Sequence, residues 1–133
     1  MKLPPLHPVV VHFPIAFCAL EFYFLILWQI KKDPAYLRFA KNIFSLTFLS
    51  ILTAMAAGLY DAGGLRGVHG EVLEHAQAAL GFLGVYALRF PLWRLAAKGN
   101  SPARFFLLAG SLIALALVAV TGYLGGELVY KHG

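Results

Sequence analysis

The sequence predicts an all-α integral membrane protein, an antiparallel four-helix bundle that forms a single domain over residues 1–133. Composition is the first observation behind this prediction, because 60% of the 133 residues are hydrophobic and 13% are charged. A soluble domain of this length could not bury so much apolar surface. The second observation is a series of four apolar stretches, each close to the roughly 20 residues that a bilayer requires. The third is the position of the basic residues, which are concentrated between those stretches. Four spans with short loops leave no room for a second domain.

The first two predicted spans are joined by a short basic loop. Span one covers about residues 8–30, with Pro14 near its start, where a proline disturbs few backbone hydrogen bonds. Span two covers about residues 36–60 and is expected to end at the turn sequence of residues 61–64, Asp-Ala-Gly-Gly.

The last two predicted spans are of similar length to the first two. Span three covers about residues 70–93, and Arg89 and Pro91 near its end predict a kink or an early exit from the membrane. Span four covers about residues 103–124, and Gly125-Gly126 is expected to end it.

Lysine and arginine predict the orientation of the bundle. The two loops that join spans one and two and spans three and four contain eight of the 11 basic residues: Lys31, Lys32, Arg38, Lys41, Arg89, Arg94, Lys98 and Arg104. The opposite side has Lys2, Arg66 and Lys131. Because short positive loops stay in the cytoplasm, both termini are predicted to face outward, into the periplasm of a bacterial inner membrane. The formal charge of +5 therefore reflects membrane topology and not nucleic-acid binding.

All five histidines fall on the predicted outer side: His7, His12, His69, His75 and His132. An ionisable side chain inside the apolar layer is costly and is a functional candidate by default, and His12 and His75 are expected at about that depth. Spans one and three would be diagonal neighbours, roughly 11–14 Å apart. That gap suits a flat macrocycle held between two imidazoles, so His12 and His75 are predicted as axial ligands of haem b.

Two other interpretations of the histidines stay open. The first is a zinc or copper site formed by several histidines, including His69, with Asp61, Glu71 or Glu74 as carboxylate ligands or hydrogen-bond partners. The second is a non-enzymatic accessory subunit in which the histidines only hydrogen-bond loop carbonyls.

Glu21 lies about two and a half turns into span one. A carboxyl group at that depth is expected to be protonated or paired with a polar group on a neighbouring helix. A proton relay or a quinone contact is the functional interpretation. The structural alternative is a hydrogen bond to Ser45, Ser50, Thr53 or a tyrosine. The sequence lacks the motifs of hydrolases and ATP-driven pumps.

Both ends of the chain resemble a bacterial family of small four-helix membrane proteins of unknown function. Residues 7–14 read His-Pro-Val-Val-Val-His-Phe-Pro, and residues 125–133 read Gly-Gly-Glu-Leu-Val-Tyr-Lys-His-Gly. Gly58, Asp61 and His75 fit the middle of the family pattern, with His69 as a rival for the histidine of the third helix.

The resemblance implies a four-helix topology and a functional set of four histidines, His7, His12, His75 and His132. Such domains look similar to haem-b membrane cytochromes and are sometimes linked to cytochrome c modules, which implies a redox role. One or two bis-histidine haems would fit this set, with His12–His75 and His7–His132 as one pairing. The leading hypothesis is a membrane cytochrome b that passes electrons from quinol to a periplasmic cytochrome or another redox partner. Whether the protein is an enzyme or a homo-oligomer is left open.

Overall fold

The computed structural model describes residues 5–132, and all the regular structure in that range is helical, which confirms the all-α class. Lys2 lies outside the described residues, and so does the side chain of His132. A 3-10 turn at Leu65–Gly67 separates the third and fourth of five helices: α1 (His7–Val10), α2 (His12–Lys31), α3 (Pro34–Asp61), α4 (Glu71–Ala97) and α5 (Ser101–His132).

Three helical segments are long and apolar enough to cross a membrane. They are His7–Lys31, which joins α1 to α2, Pro34–Asp61 and Ser101–Lys131. Helix α4 has 27 residues, and at 1.5 Å per residue it measures about 40 Å. It is less apolar than the others, because it contains acidic residues in its first turn and arginines further along.

The chain reverses between α2 and α3 in a single tight turn. Lys32 adopts the left-handed conformation (φ 59°), and its N–H donates to the carbonyl of Trp28 at 2.9 Å, which ends α2. Asp33 then accepts a hydrogen bond from the N–H of Ala35 at 2.8 Å, and Pro34 occupies the first turn of α3.

One local prediction was wrong, because helix α5 continues through Gly125-Gly126 to His132 instead of ending there. The cost of glycine in a helix is modest, and packing against neighbouring helices can override it. Helix α4 continues past Arg89 and Pro91 to Ala97, and the side chain of Arg89 is 2% exposed and turned into the protein. The kink or early exit from the membrane at this point stays a prediction.

Helix packing brings His7 and His75 together at one end of the molecule. Helix α2 packs mainly against α3 and also against α5, and α4 packs mainly against α5. Between them, the ring of Phe44 stacks on Tyr86 with centroids 5.2 Å apart, beside Trp93. One end of the molecule brings together the starts of α1 and α4 with the last turns of α3 and α5. We call it the histidine end, because His7 and His75 lie there.

Candidate functional site

His7 is fixed at the histidine end by two hydrogen bonds to helix α3. Its backbone N–H donates to Asp61 Oδ2 at 2.8 Å, and its ring Nδ1 lies 2.7 Å from the carbonyl oxygen of Ala54. Gly58 makes this approach feasible, since a Cβ at that position would lie 3.0 Å from the ring. Because a carbonyl only accepts, Nδ1 of His7 has the proton. Nε2 of a neutral His7 therefore presents a lone pair.

His75 reaches the same place from the second turn of α4, with 9% of its surface exposed. Its ring packs on Gly125 of α5, where a Cβ would lie 3.0 Å from Cε1. Nδ1 of His75 is buried against the backbone of Thr121. It makes no hydrogen bond of normal geometry to any residue in the described range.

The two imidazoles meet edge to face. Nε2 of His7 lies 3.3 Å from Nε2 of His75, and the ring planes are 85° apart. Since Nδ1 of His7 has its proton, the Nε2–H of a neutral His75 donates to the lone pair on Nε2 of His7. Nδ1 of His75 is then the ring nitrogen without a hydrogen bond among the described residues. A metal ion bound to both Nε2 atoms would take the place of the shared proton. Imidazoles that bind metals through Nε2 commonly donate Nδ1–H to a backbone carbonyl, as His7 does here.

A small crevice adjoins the pair. Its volume is about 30 Å³, which is enough for one or two water molecules and far too little for a porphyrin. Apolar side chains from all the long helices line it, including Pro14, Ile51 and Val118, and the thioether residue Met55 lines it as well. The crevice is therefore small and mostly apolar, with the two imidazoles among its few polar groups.

Two other histidines predicted as ligands, His12 and His69, are both exposed and lie outside this pair. The side chain of His132 is outside the described part of the chain. The predicted proximity of His12 and His75 is not found, because His7 takes that position. Five residues along a helix rotate a side chain by about 140°, so His7 and His12 cannot both face inward. Asp61 lies beside the site, where it orients the backbone of His7.

Within residues 5–132, no group of three or more histidine, cysteine, aspartate or glutamate residues could together hold a metal ion. A metal on His7 and His75 would therefore need ligands of another kind, such as water or a thioether.

A second polar site lies deeper in the protein. Glu21 is fully buried, forms an ion pair with Arg89 and accepts a hydrogen bond from the hydroxyl of Tyr86 at 2.6 Å. The expected tyrosine partner is therefore present, and the ion pair was not predicted. The other two expectations, a proton relay and a quinone contact, stay predictions.

The cation of Arg89 is enclosed by aromatic rings. Its guanidinium carbon lies 5.3 Å from the ring centroid of Phe44 and 5.1 Å from that of Tyr86. Nε and Nη1 are buried without an acceptor among the described residues. Stacking on aromatic faces partly replaces the water that this cation loses.

The two polar sites have the same spacing on two helical segments. Glu21 follows His7 by 14 residues, and Arg89 follows His75 by 14 residues, so both cross-contacts join residues 68 apart. Fourteen residues are two heptads, which return a side chain to nearly the same helix face. The equal spacing therefore follows from one register between the two segments, which aligns both pairs at the same time.

The long apolar helices define the chain as a membrane protein, with a histidine pair at one end and a buried ion pair further in. More particularly, the chain belongs to the family described as "Predicted membrane protein (DUF2231)", whose profile matches residues 3–133. The function of this family is not established. No curated protein and no solved structure matches the chain.

Proposed function

We propose that this protein is a multi-pass protein of a bacterial inner membrane that binds one copper ion through His7 and His75. In this proposal all four long helical segments cross the membrane as an antiparallel bundle, and the histidine end faces the periplasm. The lipid bilayer is then its main partner.

The distance between the imidazoles is the observation that supports metal binding. An ion about 2.0–2.1 Å from each Nε2 would subtend an angle of about 107° at nitrogens 3.3 Å apart. That angle is close to the tetrahedral value, so the separation of the two nitrogens suits one shared ion once each ring turns its Nε2 lone pair toward it. His7 already has the backbone hydrogen bond that orients a metal ligand.

Met55 favours copper over zinc. Thioether sulfur is a soft ligand that selects Cu(I), whereas zinc sites use imidazole, thiolate and carboxylate. Met55 lines the crevice beside His7 and His75. In this proposal the three side chains form a His2Met site, and the water-sized crevice supplies any further ligand.

Copper titration of histidine variants tests this proposal. The purified protein is expected to bind one equivalent of Cu(I) in competition with a chromogenic chelator. His7→Ala and His75→Ala should each weaken binding by more than about 100-fold, because loss of a direct ligand exceeds the usual effect of losing a hydrogen-bond partner of a ligand.

His12→Ala and His69→Ala are matched controls, since both side chains are exposed histidines from the same part of the chain. Their affinity for Cu(I) should equal that of the unchanged protein. Equal losses in all four variants, or no copper binding by the unchanged protein, would show the proposal to be wrong.

Two neighbouring glycines provide a finer test. Gly125→Ala should weaken Cu(I) binding about 10-fold, because the new methyl group would press on the ring of His75. Gly126→Ala should have no effect on binding, since a Cβ there has no atom within 4 Å among the described residues. Chelator competition on both variants gives the comparison. Similar affinities in the two would mean that the ring of His75 does not form the site.

Haem b is the second candidate, with electron transfer between quinol and a periplasmic cytochrome as the function. It is favoured by two imidazoles that face each other from different helices, with a glycine behind each ring. The crevice as described does not fit a porphyrin, so the helix ends would have to separate. Soret and α bands in the protein expressed with ample haem would support haem. A featureless spectrum with stoichiometric copper would exclude it.

Charge supports the proposed orientation. With Arg89 buried, seven basic residues remain in or near the two loops at the end opposite the histidines. The described residues at the histidine end include two, Arg66 and Lys131. The bias of basic residues toward one end therefore remains after Arg89 is set aside.

A further inference from the structure

A cleft with a positively charged lining lies at the end of the molecule opposite the histidines. Its volume is about 140 Å³, which is room for a group several times the size of a water molecule. The last turn of α2, the first turn of α5 and the end of α4 form its walls, and we call it the cationic cleft. Its lining includes Lys32, Arg104, Trp28, Gln29 and Ala96.

The charges of the cleft have one sign. Lys32 and Arg104 both line it, and none of the described residues that line it is acidic. The acidic residue closest in sequence to Lys32 is Asp33. Its carboxylate accepts a hydrogen bond from the N–H of Ala35 at the start of α3. The cleft therefore has a positive potential that no residue on its walls balances.

Arg104 is held in place and lacks an acceptor. Its guanidinium carbon lies 5.1 Å from the ring centroid of Trp28. Its Nε is buried and has no hydrogen-bond partner among residues 5–132. A buried N–H donor without an acceptor is costly, so a ligand with an acceptor oxygen would stabilise this arrangement.

Lys32 is placed by the backbone. It is the one residue other than glycine with a positive φ in the described part of the chain. This conformation is uncommon for a residue with a side chain and is retained where the surroundings fix it. The turn between α2 and α3 thus places Lys32 at the edge of the cleft, where its side chain is exposed.

We propose that the cationic cleft binds the phosphate of an anionic phospholipid, with Lys32 and Arg104 as its ligands. The cleft lies where three apolar helical segments begin or end, at the depth of lipid headgroups, and a tryptophan forms part of it. Basic pockets between transmembrane helices are suited to phosphate headgroups. Arg104 would donate from its planar guanidinium and Lys32 would add a point charge. This inference is independent of the copper proposal.

Native mass spectrometry of lipid-bound protein tests the cleft. The purified full chain is titrated with phosphatidylglycerol in detergent, with phosphatidylcholine as the uncharged comparison. We expect one phosphatidylglycerol to bind at least 10-fold more tightly than phosphatidylcholine. Arg104→Gln and Lys32→Gln should each remove most of this preference. Lys98→Gln is the matched control, because it removes an exposed charge in the same loop region without touching the cleft.

Equal affinity of the two cleft variants and the Lys98→Gln control would overturn the proposal. Displacement of the lipid by inorganic phosphate at millimolar concentration would also overturn it, because the site would then take free phosphate. The circular dichroism of each variant checks that its helices are folded. If Arg104→Gln does not fold, Arg104→Lys replaces it in the test. This variant keeps the charge and should retain part of the preference for phosphatidylglycerol.

Discussion

Glu21→Leu is expected to destabilise the protein by about 3–5 kcal/mol, the usual result of breaking a buried ion pair from one side. The substitution removes the partner of Arg89 and of the Tyr86 hydroxyl in one step. Arg89 would then be a buried cation without a counter-charge, with aromatic rings around it and the carbonyl of Leu107 at 3.4 Å from Nη2. Unfolding of the purified protein by dodecyl sulfate in mixed micelles measures the loss.

The double variant Glu21→Leu/Arg89→Met separates the effect of an unpaired charge from the value of the pair. Replacing both members by apolar groups of similar size should recover most of the stability, because neither charge then needs solvation. Tyr86→Phe is the matched control and should cost about 1.5–3 kcal/mol, the range for a hydrogen bond to a charged group. The single variant Arg89→Met completes the comparison. If the losses of stability in Glu21→Leu and Arg89→Met simply add in the double variant, Glu21 and Arg89 do not act as a pair.

The membrane class of the fold could be predicted from the sequence because it depends on local quantities. Apolar composition and the length of each apolar stretch are enough to predict helices that cross a bilayer. Three long apolar helical segments and the family match confirm that part. These properties do not depend on which residues meet in space.

Contacts between residues that are far apart in the sequence could not be predicted from local sequence patterns. Arg89 and Pro91 were interpreted as a kink or an early exit from the membrane, whereas the partner of Arg89 is Glu21, 68 residues earlier in the chain. The choice between His7 and His12 similarly depends on which helix face turns inward, and both have apolar neighbours in sequence. Only the packing of α1 on α3, through Asp61 and Ala54, decides it.

The break predicted at Gly125-Gly126 illustrates a different limit. Glycine lowers helix propensity in water, by about 1 kcal/mol relative to alanine, and that value suggested an end. At Gly125 the missing side chain instead makes room for the ring of His75. The propensity of this glycine predicted the end of a helix, whereas its small size allows an imidazole ring to pack against the helix.

Membrane topology gives the second large prediction, an all-or-none difference in labelling. In a Cys18→Ala background, Leu65→Cys should react with a membrane-impermeant maleimide on intact spheroplasts, whereas Lys98→Cys should react only after permeabilisation. Leu65 lies in the 3-10 turn with 81% of its surface exposed, and Lys98 lies in the exposed loop before α5. Cys18 is fully buried, so its removal only lowers the background.

The same experiment decides whether α4 crosses the membrane. The two labelled positions stand on either side of this helix, which is long enough to span but has more charged residues than the other three segments. Its buried arginine is paired with Glu21 and surrounded by aromatic rings, so the cost of placing it in the apolar layer is largely removed. Labelling of both cysteines from the outside would mean that α4 returns to the surface from which it started. Labelling of Leu65→Cys alone would mean that α4 is a fourth span. His75, near the start of α4, would then lie on the side of the bilayer opposite the positive loops.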